Sequence, residues 1–249
     1  MAVGDIHASL NELKAKRCAI FDGVDDYVDC GKIDIKGWSE FSMSCWINIA
    51  ELGSTERWLS ILHSGGDDIR IWTHTDGKLY FSMDDGDAES LIFDNPEIKV
   101  WYHVVGVFDG SNVYFYVNNS EIGSSSETFD FSTADGAVTI GAIGAGSNSV
   151  DGAIRDARIY KKALTSTERT KLYNGLNVTD GLVHRYKLDF DYTDSVGDND
   201  GTNSGSYLSA VDDNVSAAIK ANRTTANDNY MLTTLAGGKI LHAVVEESA

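Results

Sequence analysis

The stretch "WYHVVGVFDGSNVYFYV", residues 101–117, consists of two largely apolar runs joined by a short polar turn. Side chains of opposite character alternate along both runs, which is the period of a β-strand that buries one face. Asp109-Gly110 between the runs is a strong hairpin signal, because such turns need residues that accept positive φ angles. The stretch therefore predicts antiparallel strands at 101–108 and 113–117.

The same alternation continues on both sides of this hairpin. In "FSMSCWINI" (41–49) the apolar residues share one face, while Ser42, Ser44, Trp46 and Asn48 take the other. The pattern recurs in "LYFSM" (79–83) and "VTIGAIG" (138–144), with glycine-rich turns between the runs. Many short strands of this kind are typical of an all-β sandwich.

Only two stretches favour a helix. In "DIHASLNELKAK" (5–16), Asp5 is placed to cap a helix whose apolar residues share one face. In "LTSTERTKLYNG" (164–175), Thr165 is placed as the N-cap and Gly175 as the residue that ends the helix. We therefore expect two short helices beside the strands.

Composition limits the classes of partner. The chain has 249 residues, of which 42% are hydrophobic, and its 20 basic and 38 acidic side chains give a net charge of −18. Such a charge repels phosphate backbones and anionic membrane surfaces, so neither nucleic acid nor a membrane is an expected partner. The longest apolar stretch, "VWYHVVGVF" (100–108), is too short to span a bilayer, and the N-terminus lacks the apolar region of a secretion signal.

The three cysteines are Cys18, Cys30 and Cys45, and they form no CxxC pair or zinc-ligand cluster. We predict buried free thiols. A bridge between Cys18 and Cys30 is the alternative if residues 18–20 and 28–30 lie in one hairpin.

Four stretches together resemble one family, the laminin-G-like, concanavalin A-like (pentraxin-like) jelly rolls. They are "CAIFDGVDDYVDCG" (18–31), "FSMSCWINI" (41–49), "KVWYHVVGVFDGSNVYFYVNNSEI" (99–122) and "VDGAIRDARIYKKALTSTERTKLYNG" (150–175). In that family two curved antiparallel sheets pack face to face, and many members bind glycans or proteins, often beside a calcium ion. The resemblance implies an all-β jelly-roll β-sandwich of two antiparallel sheets, with the short N-terminal and 164–175 helices added.

The order of the blocks departs from the family. "GLVHRYKLDFDYTDSVGDNDGTNSGS" (181–206) resembles the family's first strand and loop, which normally precede the "FDGVDDY" block but here follow everything else. The segment either completes the same sandwich in a circularly permuted order, is donated to a neighbouring copy, or begins a truncated second repeat. The last alternative leaves Leu182, Tyr186 and Leu188 without a partner surface, and permutation costs less loop-closure entropy than exchange between chains. We favour permutation.

The predicted organisation has three parts. Residues 1–16 form an N-terminal helical arm, residues 17–206 form the jelly roll, and residues 207–249 form a C-terminal extension that packs on the sandwich or docks to a partner.

Calcium is the one cofactor that the sequence predicts. The run "DSVGDNDG" (194–201) supplies Asp194, Asp198, Asn199 and Asp200, oxygen ligands of the kind that Ca²⁺ takes from a bending loop. The resemblance implies a further ligand near the last long strand, which by position is Asp156. The empty Asx-rich turn is the alternative for this loop.

A second acidic turn and three aromatic residues are further candidates. "FDGVDDY" (21–27) offers Asp22, Asp25 and Asp26, with an ordinary hairpin turn as the alternative. For glycan contact, Trp58, Trp72 and Tyr80 are possible stacking platforms, and core positions are the alternative for each of them.

The sequence contains none of the catalytic motifs that we looked for. Glycosidases on this sandwich typically carry an E-x-D-x-(x)-E strand, and the nearest string here, "DFDYTD" (189–194), has only aspartates. The six histidines occur in no GxSxG or Cys-His context, and "GAIGAG" (141–146) is not followed by a helix. We predict a non-enzymatic module and keep a glycoside hydrolase only as a remote alternative.

The predicted function is a structural or binding module. The permuted order, the acidic charge and the start at Met1 without a leader resemble phage and virus structural proteins such as capsid decorations, head fibres or tail-associated adhesins. That reading predicts a place in the virion, assembled in the host cytoplasm, with other virion proteins, further copies of the chain or a host-surface glycan as partners. The alternative is a calcium-dependent carbohydrate-binding, lectin-like module of a secreted or cell-surface protein, located outside the cell.

Overall fold

The computed structural model describes residues 17–63, 68–84, 90–127, 129, 131 and 135–210. Arg17–Ser209 form one compact unit. The predicted helix at 5–16 and the extension beyond residue 210 lie outside the described residues.

The described residues form fifteen strands and one helix. In chain order they are β1 (Arg17–Asp22), β2 (Tyr27–Asp34), β3 (Phe41–Ile49), β4 (Glu56–His63), β5 (Asp68–Thr73), β6 (Leu79–Asp84), β7 (Leu91–Phe93), β8 (Trp101–Phe108), β9 (Asn112–Val117), β10 (Ser120–Ser126), β11 (Asp135–Ile140), β12 (Asp151–Tyr160), α1 (Ser166–Tyr173), β13 (Leu182–Tyr186), β14 (Thr202–Ser204) and β15 (Tyr207–Ala210). The first sheet has the order β10-β9-β8-β3-β12-β1-β15, with β13 also paired to β12, and the second has the order β14-β2-β11-β4-β5-β6-β7. The fold is an all-β jelly-roll sandwich of two antiparallel sheets, as predicted.

The alternating pattern locates the core between the sheets. In β3, Phe41 and Cys45 are fully buried in the core, as are the other apolar residues of that face. On the opposite face Trp46 is half-buried, but Ser42, Ser44 and Asn48 are buried, so β3 is covered on both faces. The strands at 41–49 and 101–108 are confirmed, and β9 begins one residue earlier than predicted. β11 ends at Ile140, because Gly141 takes a φ of 87° and turns the chain. In the described part of the chain, no helix has the length and apolar character needed to cross a membrane.

Helix α1 covers part of the outer face of the first sheet. Thr165 and Glu168 form a reciprocal capping box, and Gly175 takes a φ of 74° after the last turn. Leu172 of the helix packs on Val105 and other apolar residues of the first sheet in a second, smaller cluster. The predicted helix and both of its end signals are confirmed.

Along one of its edges, strand β12 pairs with two different strands in succession. Its first half pairs with β1 (Ala19 with Ile154), and its second half pairs with β13 (Ala157 with Tyr186). The change of partner coincides with a β-bulge at Asp156, which has a φ of 52°. Tyr186 and Leu188 are fully buried in the core. Strands β13 and β14, from the segment 181–206, pair with β12 and β2 of this chain.

The cysteines are free and buried, as predicted. Cys18 lies in β1 of the first sheet and Cys30 in β2 of the second, so the two strands do not form one hairpin ladder. Burial raises the pKa of the Cys30 and Cys45 thiols, which keeps them protonated and unreactive.

Candidate functional site at the loop rim

The turn between β1 and β2, residues 22–26, is acidic and is called the acidic turn below. Asp22, Asp25 and Asp26 each place one carboxylate oxygen within 4.8 Å of those of the other two. Among the described residues, no other group of three or more Asp, Glu, His or Cys side chains is close enough to share an ion. The sequence predicts this trio as its second candidate for a metal site.

Local hydrogen bonds explain the shape of the acidic turn. Asp22 Oδ1 accepts from the Val24 N–H at 3.0 Å, and Asp26 Oδ2 accepts from the Asp22 N–H at 2.9 Å. Gly23, with a φ of 77°, donates its N–H to the Val150 carbonyl at 2.8 Å. Asp26 is 1% exposed, whereas Asp25 is exposed to solvent. The turn therefore has a buried carboxylate as its base and an accessible one at its surface.

Two other loops approach the acidic turn closely. Gly146, between β11 and β12, has so little room that a Cβ there would lie 3.0 Å from the Asp25 carbonyl oxygen. A Cβ on Gly205, between β14 and β15, would overlap with Asp26 Oδ1. Both glycines have a φ of 82°. Glycine at these positions lets three loops converge on one rim of the sandwich.

The donor set of the acidic turn fits calcium. Ca²⁺ takes six to eight oxygen ligands, and carboxylates held by a tight turn are its usual protein ligands. Three carboxylate oxygens from one turn provide the anionic part of such a shell, and neighbouring carbonyls or water supply the remainder. Asp22, Asp25 and Asp26 are the residues that would hold the ion.

The first-choice calcium loop, residues 194–200, is organised differently. Both Asp194 oxygens accept hydrogen bonds: Oδ1 from the Arg185 and Val196 N–H groups at 3.0 and 3.1 Å, and Oδ2 pairs with His184 Nδ1 at 2.6 Å. Burial alone would raise the pKa of Asp194, but these donors outweigh it and lower the pKa. Protein donors thus engage both carboxylate oxygens of Asp194.

Asp156, the other predicted ligand, is surrounded by arginines. Its Oδ1 accepts from Arg158 Nε at 3.0 Å and from Arg185 Nε at 2.8 Å, and its Oδ2 accepts from Arg158 Nη2 at 2.8 Å. Burial opposes ionisation, yet the two guanidinium groups lower the pKa of Asp156. Its negative charge is already balanced by two cations.

The remaining loop residues connect the sheets. Asn199 donates its side-chain N–H to the Lys32 carbonyl at 2.7 Å and accepts from the Tyr186 hydroxyl at 2.9 Å through its own carbonyl. Asp200 Oδ1 accepts from the Asp194 N–H at 2.9 Å, while Asp198 is exposed. The described structure does not bring Asp194, Asp198, Asn199 and Asp156 together as one ligand set.

The three predicted aromatic platforms separate into two groups. Trp58 is fully buried in the core and donates its indole N–H to Thr73 Oγ1 at 3.3 Å. Trp72 and Tyr80 stack on the outer face of the second sheet, with ring centroids 4.6 Å apart. The Tyr80 hydroxyl donates to Asp76 Oδ2 at 2.6 Å, and burial together with this bond raises the pKa of Tyr80 to about 12. Trp72 is half-buried and remains a candidate for ligand contact, whereas Tyr80 is only 8% exposed.

Two features were not singled out by sequence reasoning. Glu56 is a buried carboxylate behind the rim, and nothing in the local pattern at the start of β4 distinguishes it from an exposed one. Trp46, Trp101 and Arg155 form a cluster on the outer face of the first sheet. The signal for the cluster was present, because Trp46 occupies a position in β3 that the alternation assigns to solvent.

Comparison with a family model gives a match over residues 22–168, and the family is described as the concanavalin A-like lectin/glucanases superfamily. A search of curated proteins gave no match.

Solved structures of the same fold include three of interest. A Bacteroides ovatus protein whose proposed role is carbohydrate binding has a TM-score of 0.61 and 18% identity, and covers 79% of this chain and 60% of its own. A heptameric pentraxin from Limulus polyphemus has a TM-score of 0.58 and 15% identity, and covers 79% of this chain and 96% of its own.

The third structure is domain 4 of an extracellular arabinanase from Geobacillus stearothermophilus, in complex with arabinotriose. It has a TM-score of 0.53 and 20% identity, and covers 63% of this chain and 76% of its own. At these identities the likeness concerns the fold. The chain spans about three fifths of the Bacteroides protein (60%).

Proposed function

We infer the function of this chain from the premise that it belongs to the concanavalin A-like lectin/glucanases superfamily, whose model covers residues 22–168. We propose a lectin-like module that binds a carbohydrate at the loop rim with the help of a calcium ion held by the acidic turn. Fold alone does not determine function, so the proposal depends on the site.

The observation that carries the proposal is the convergence of the Asp22, Asp25 and Asp26 carboxylates within 4.8 Å. Three like charges this close repel one another, and a divalent cation removes that repulsion. Asp25 is exposed, so an ion bound here faces solvent and is accessible to a ligand.

The residues of this chain would then have separate roles. Asp26, fixed by the Asp22 N–H, would form the inner wall of the ion site, and Asp25 the solvent side. When bound, calcium supplies open coordination positions for neighbouring hydroxyl groups of a sugar. Gly146 and Gly205 keep the adjacent loops close enough to border the bound sugar.

Substitution of Asp25 tests the proposal. We expect calcium to raise the melting temperature of the wild-type chain and to be required for retention on a glycan array. Asp25→Asn should abolish both effects, because it removes the accessible carboxylate. Asp34→Asn is the matched control, since Asp34 is also an exposed aspartate whose Oδ1 accepts from a nearby backbone N–H, that of Lys36 at 2.9 Å. An equal calcium response in wild-type chain and Asp25→Asn would refute the assignment of the ion to the acidic turn.

The proposed role is binding without cleavage. An oligosaccharide captured on the array is therefore expected to be recovered with unchanged length after long incubation. Shorter products, detected by mass spectrometry, would instead assign a hydrolase activity to the chain.

The virion role stays a prediction beside this proposal, because a lectin-like sandwich can be part of a virion or of a secreted or cell-surface protein. Light scattering of the intact chain separates the two. Display on a particle predicts an oligomer of defined mass in calcium and in chelator alike, whereas a free lectin-like module outside the cell predicts a monomer.

A further inference from the structure

A second cluster lies on the outer face of the first sheet and consists of Trp46, Asn48, Trp101 and Arg155; it is called the arginine cradle below. The registers of three adjacent strands define it: Trp46 of β3 pairs with Arg155 of β12, and Asn48 of β3 pairs with Trp101 of β8. Because side chains alternate along a strand, all four project from the same face of the sheet.

The guanidinium group of Arg155 is held by aromatic rings alone. Its Cζ lies 4.8 Å from the ring centroid of Trp46 and 4.8 Å from that of Trp101. No hydrogen bond or ion pair joins Arg155 to another of the described residues, and its Nε is buried without a partner. Burial accordingly lowers the pKa of Arg155.

The neighbouring arginines of β12 and β13 are paired differently. Arg158 and Arg185 both donate to Asp156, which follows Arg155 directly in the sequence. Asp156 therefore neutralises its two arginine partners, while the Nε of Arg155 has no acceptor. Arg155 is half-buried, and a buried polar atom such as this Nε is normally hydrogen-bonded, so the group leaves a place for an acceptor from outside the described residues.

Asn48 provides a second and independent observation. The residue is 3% exposed, and its side-chain Nδ2 has no hydrogen-bond partner. Asn48 lies between Ala153 on one neighbouring strand and Trp101 on the other, so its buried amide lies on the same face of the sheet as the Arg155 guanidinium. Two kinds of N–H donor, one charged and one neutral, are thus left without acceptors in one cradle.

We propose that the arginine cradle binds the carboxylate of an acidic sugar, such as a uronic acid residue of a glycan. The planar fork of a guanidinium matches the two oxygens of a carboxylate, and the Asn48 amide donates a further hydrogen bond. The proposal concerns a site separate from the acidic turn and needs no metal ion.

The indole rings favour a sugar over an acidic peptide. Trp101 is half-buried and has no ring contact other than Arg155 among the described residues, so part of its flat surface is available to the face of a pyranose ring. A glutamate side chain offers no such face. His103, beside Trp46 at 5.1 Å between centroids, adds no charge at neutral pH because burial lowers its pKa to about 4.

A matched pair of ligands tests the proposal. Methyl β-glucuronide and methyl β-glucoside have the same ring and differ in the carboxylate that replaces a hydroxymethyl group. Both are titrated into the intact chain in the presence of chelator, with calorimetry and the indole N–H signals of a ¹⁵N-labelled sample as readouts. We expect the glucuronide to bind at least tenfold more tightly and to shift the Trp101 signal, assigned with Trp101→Phe.

Arg155→Met should weaken glucuronide binding at least tenfold. The control is Arg169→Met, because Arg169 also lies over an aromatic ring on this face, 3.8 Å from the Tyr116 centroid, but donates to the Leu164 carbonyl. Far-ultraviolet circular dichroism checks that both variants fold. If Arg155→Met does not fold, the comparison of the two glycosides with the wild-type chain tests the proposal instead.

Four results would overturn the proposal: equal binding of the two glycosides, an unchanged affinity in folded Arg155→Met, tighter binding of a triglutamate peptide than of the glucuronide, or glucuronide binding that is lost in chelator. The last result would assign the sugar to the acidic turn. Conversely, a failure of calcium-dependent glycan binding leaves the chelator experiment unaffected, so the two proposals fail separately.

Discussion

Glu56, at the start of β4, shows how burial determines the chemistry of a single residue. It is 1% exposed, and its carboxylate accepts from Ser54 Oγ at 2.7 Å and from Thr73 Oγ1 at 3.3 Å. Burial raises the pKa of Glu56 to about 7, although these hydrogen bonds act in the opposite direction. At neutral pH the folded chain therefore holds a carboxylate that is partly protonated.

The pH dependence of stability follows from this pKa. The pKa in the folded chain lies above the ordinary value of 4.5, so Glu56 stabilises the fold below pH 4.5 and loses that contribution as the pH rises through 7. Glu56→Gln should remove this fall and be more stable than wild type at pH 8 by about 3 kcal/mol, an order of magnitude set by 1.36 kcal/mol per pKa unit over the rise from 4.5 to about 7.

Urea unfolding at pH 5 and pH 8 measures the effect of Glu56→Gln. Glu97→Gln, at an exposed glutamate, serves as control and should match wild type at both values. Identical pH profiles for Glu56→Gln and wild type would show that Glu56 ionises normally in the folded chain.

Gly106 in β8 packs directly against the opposite sheet. A Cβ at this position would overlap with the ring of Phe81 from the opposite sheet. We expect Gly106→Ala to destabilise the fold by about 1–3 kcal/mol, because a packed core does not accept an added methyl group. Gly123→Ala is the control, since its Cβ would meet Leu91 at an ordinary 3.6 Å. Equal melting temperatures of Gly106→Ala and Gly123→Ala would contradict the close packing of Gly106 against Phe81.

The sequence predicts single residues well where strand alternation applies. It locates the inward face of β3 and the caps of α1, because both depend on neighbours in the chain. Trp58 and Trp72 could not be told apart in advance, since which of them the opposite sheet covers depends on tertiary packing. Glu56 and Arg155 lay beyond local reasoning for the same reason.

At the scale of elements, the bulge in β12 joins two halves of the first sheet. Asp156, in the bulge, donates its N–H to the Lys187 carbonyl at 3.0 Å, and its side chain binds Arg158 and Arg185. Arg158 is 2% exposed. The ion pairs connect β12 to β13 at the point where β1 ends its pairing.

Removal of this carboxylate leaves buried charge without a partner. Asp156→Ala should cost about 3 kcal/mol or more in free energy of unfolding, the range found when one partner of a buried ion pair is removed. Asp180→Ala is the control, since the Asp180 side chain is 81% exposed in its pair with Lys162. Denaturant unfolding in calcium and in chelator measures the free energy of unfolding of both variants. A loss for Asp156→Ala seen only in calcium would favour the metal role that the sequence predicts for Asp156.

The strands themselves were largely predictable, and their pairing was less so. Period-two runs locate β3, β8 and β9 closely. The pairing of β13 with the second half of β12 was not predicted, because the pattern of neither strand identifies its partner. The residue types of the acidic loop after β13 predict a calcium loop, yet two of the donors to Asp194, the Arg185 N–H and the His184 ring, come from β13, which the loop sequence does not reveal.

At the scale of the molecule, the first and last described strands are neighbours. The Cys18 thiol of β1 lies 3.4 Å from the Ser209 carbonyl oxygen of β15. The chain therefore enters and leaves the sandwich at one place. Such proximity of the two ends is what a circular permutation of the domain requires.

A permuted chain tests this relation. Residues 181–210 placed ahead of residues 17–180 through a short glycine-serine linker should give a monomer that unfolds cooperatively. Residues 17–180 alone should fail to fold, because the core then loses the fully buried Tyr186 and Leu188. Calorimetry measures whether each chain unfolds cooperatively, and light scattering measures whether it is a monomer. A permuted chain that folds only as a strand-exchanged dimer would favour donation between copies.

The adjacency of β1 and β15 also sets how the domain responds to load. Tension applied through its two ends acts on neighbouring strands at the same point, so it opens their hydrogen bonds one after another and does not shear them together. We expect single-molecule pulling from residues 17 and 209 to unfold the sandwich at low force, starting at this edge. A tether attached through only one of the two ends would place no tension on the pairing between β1 and β15.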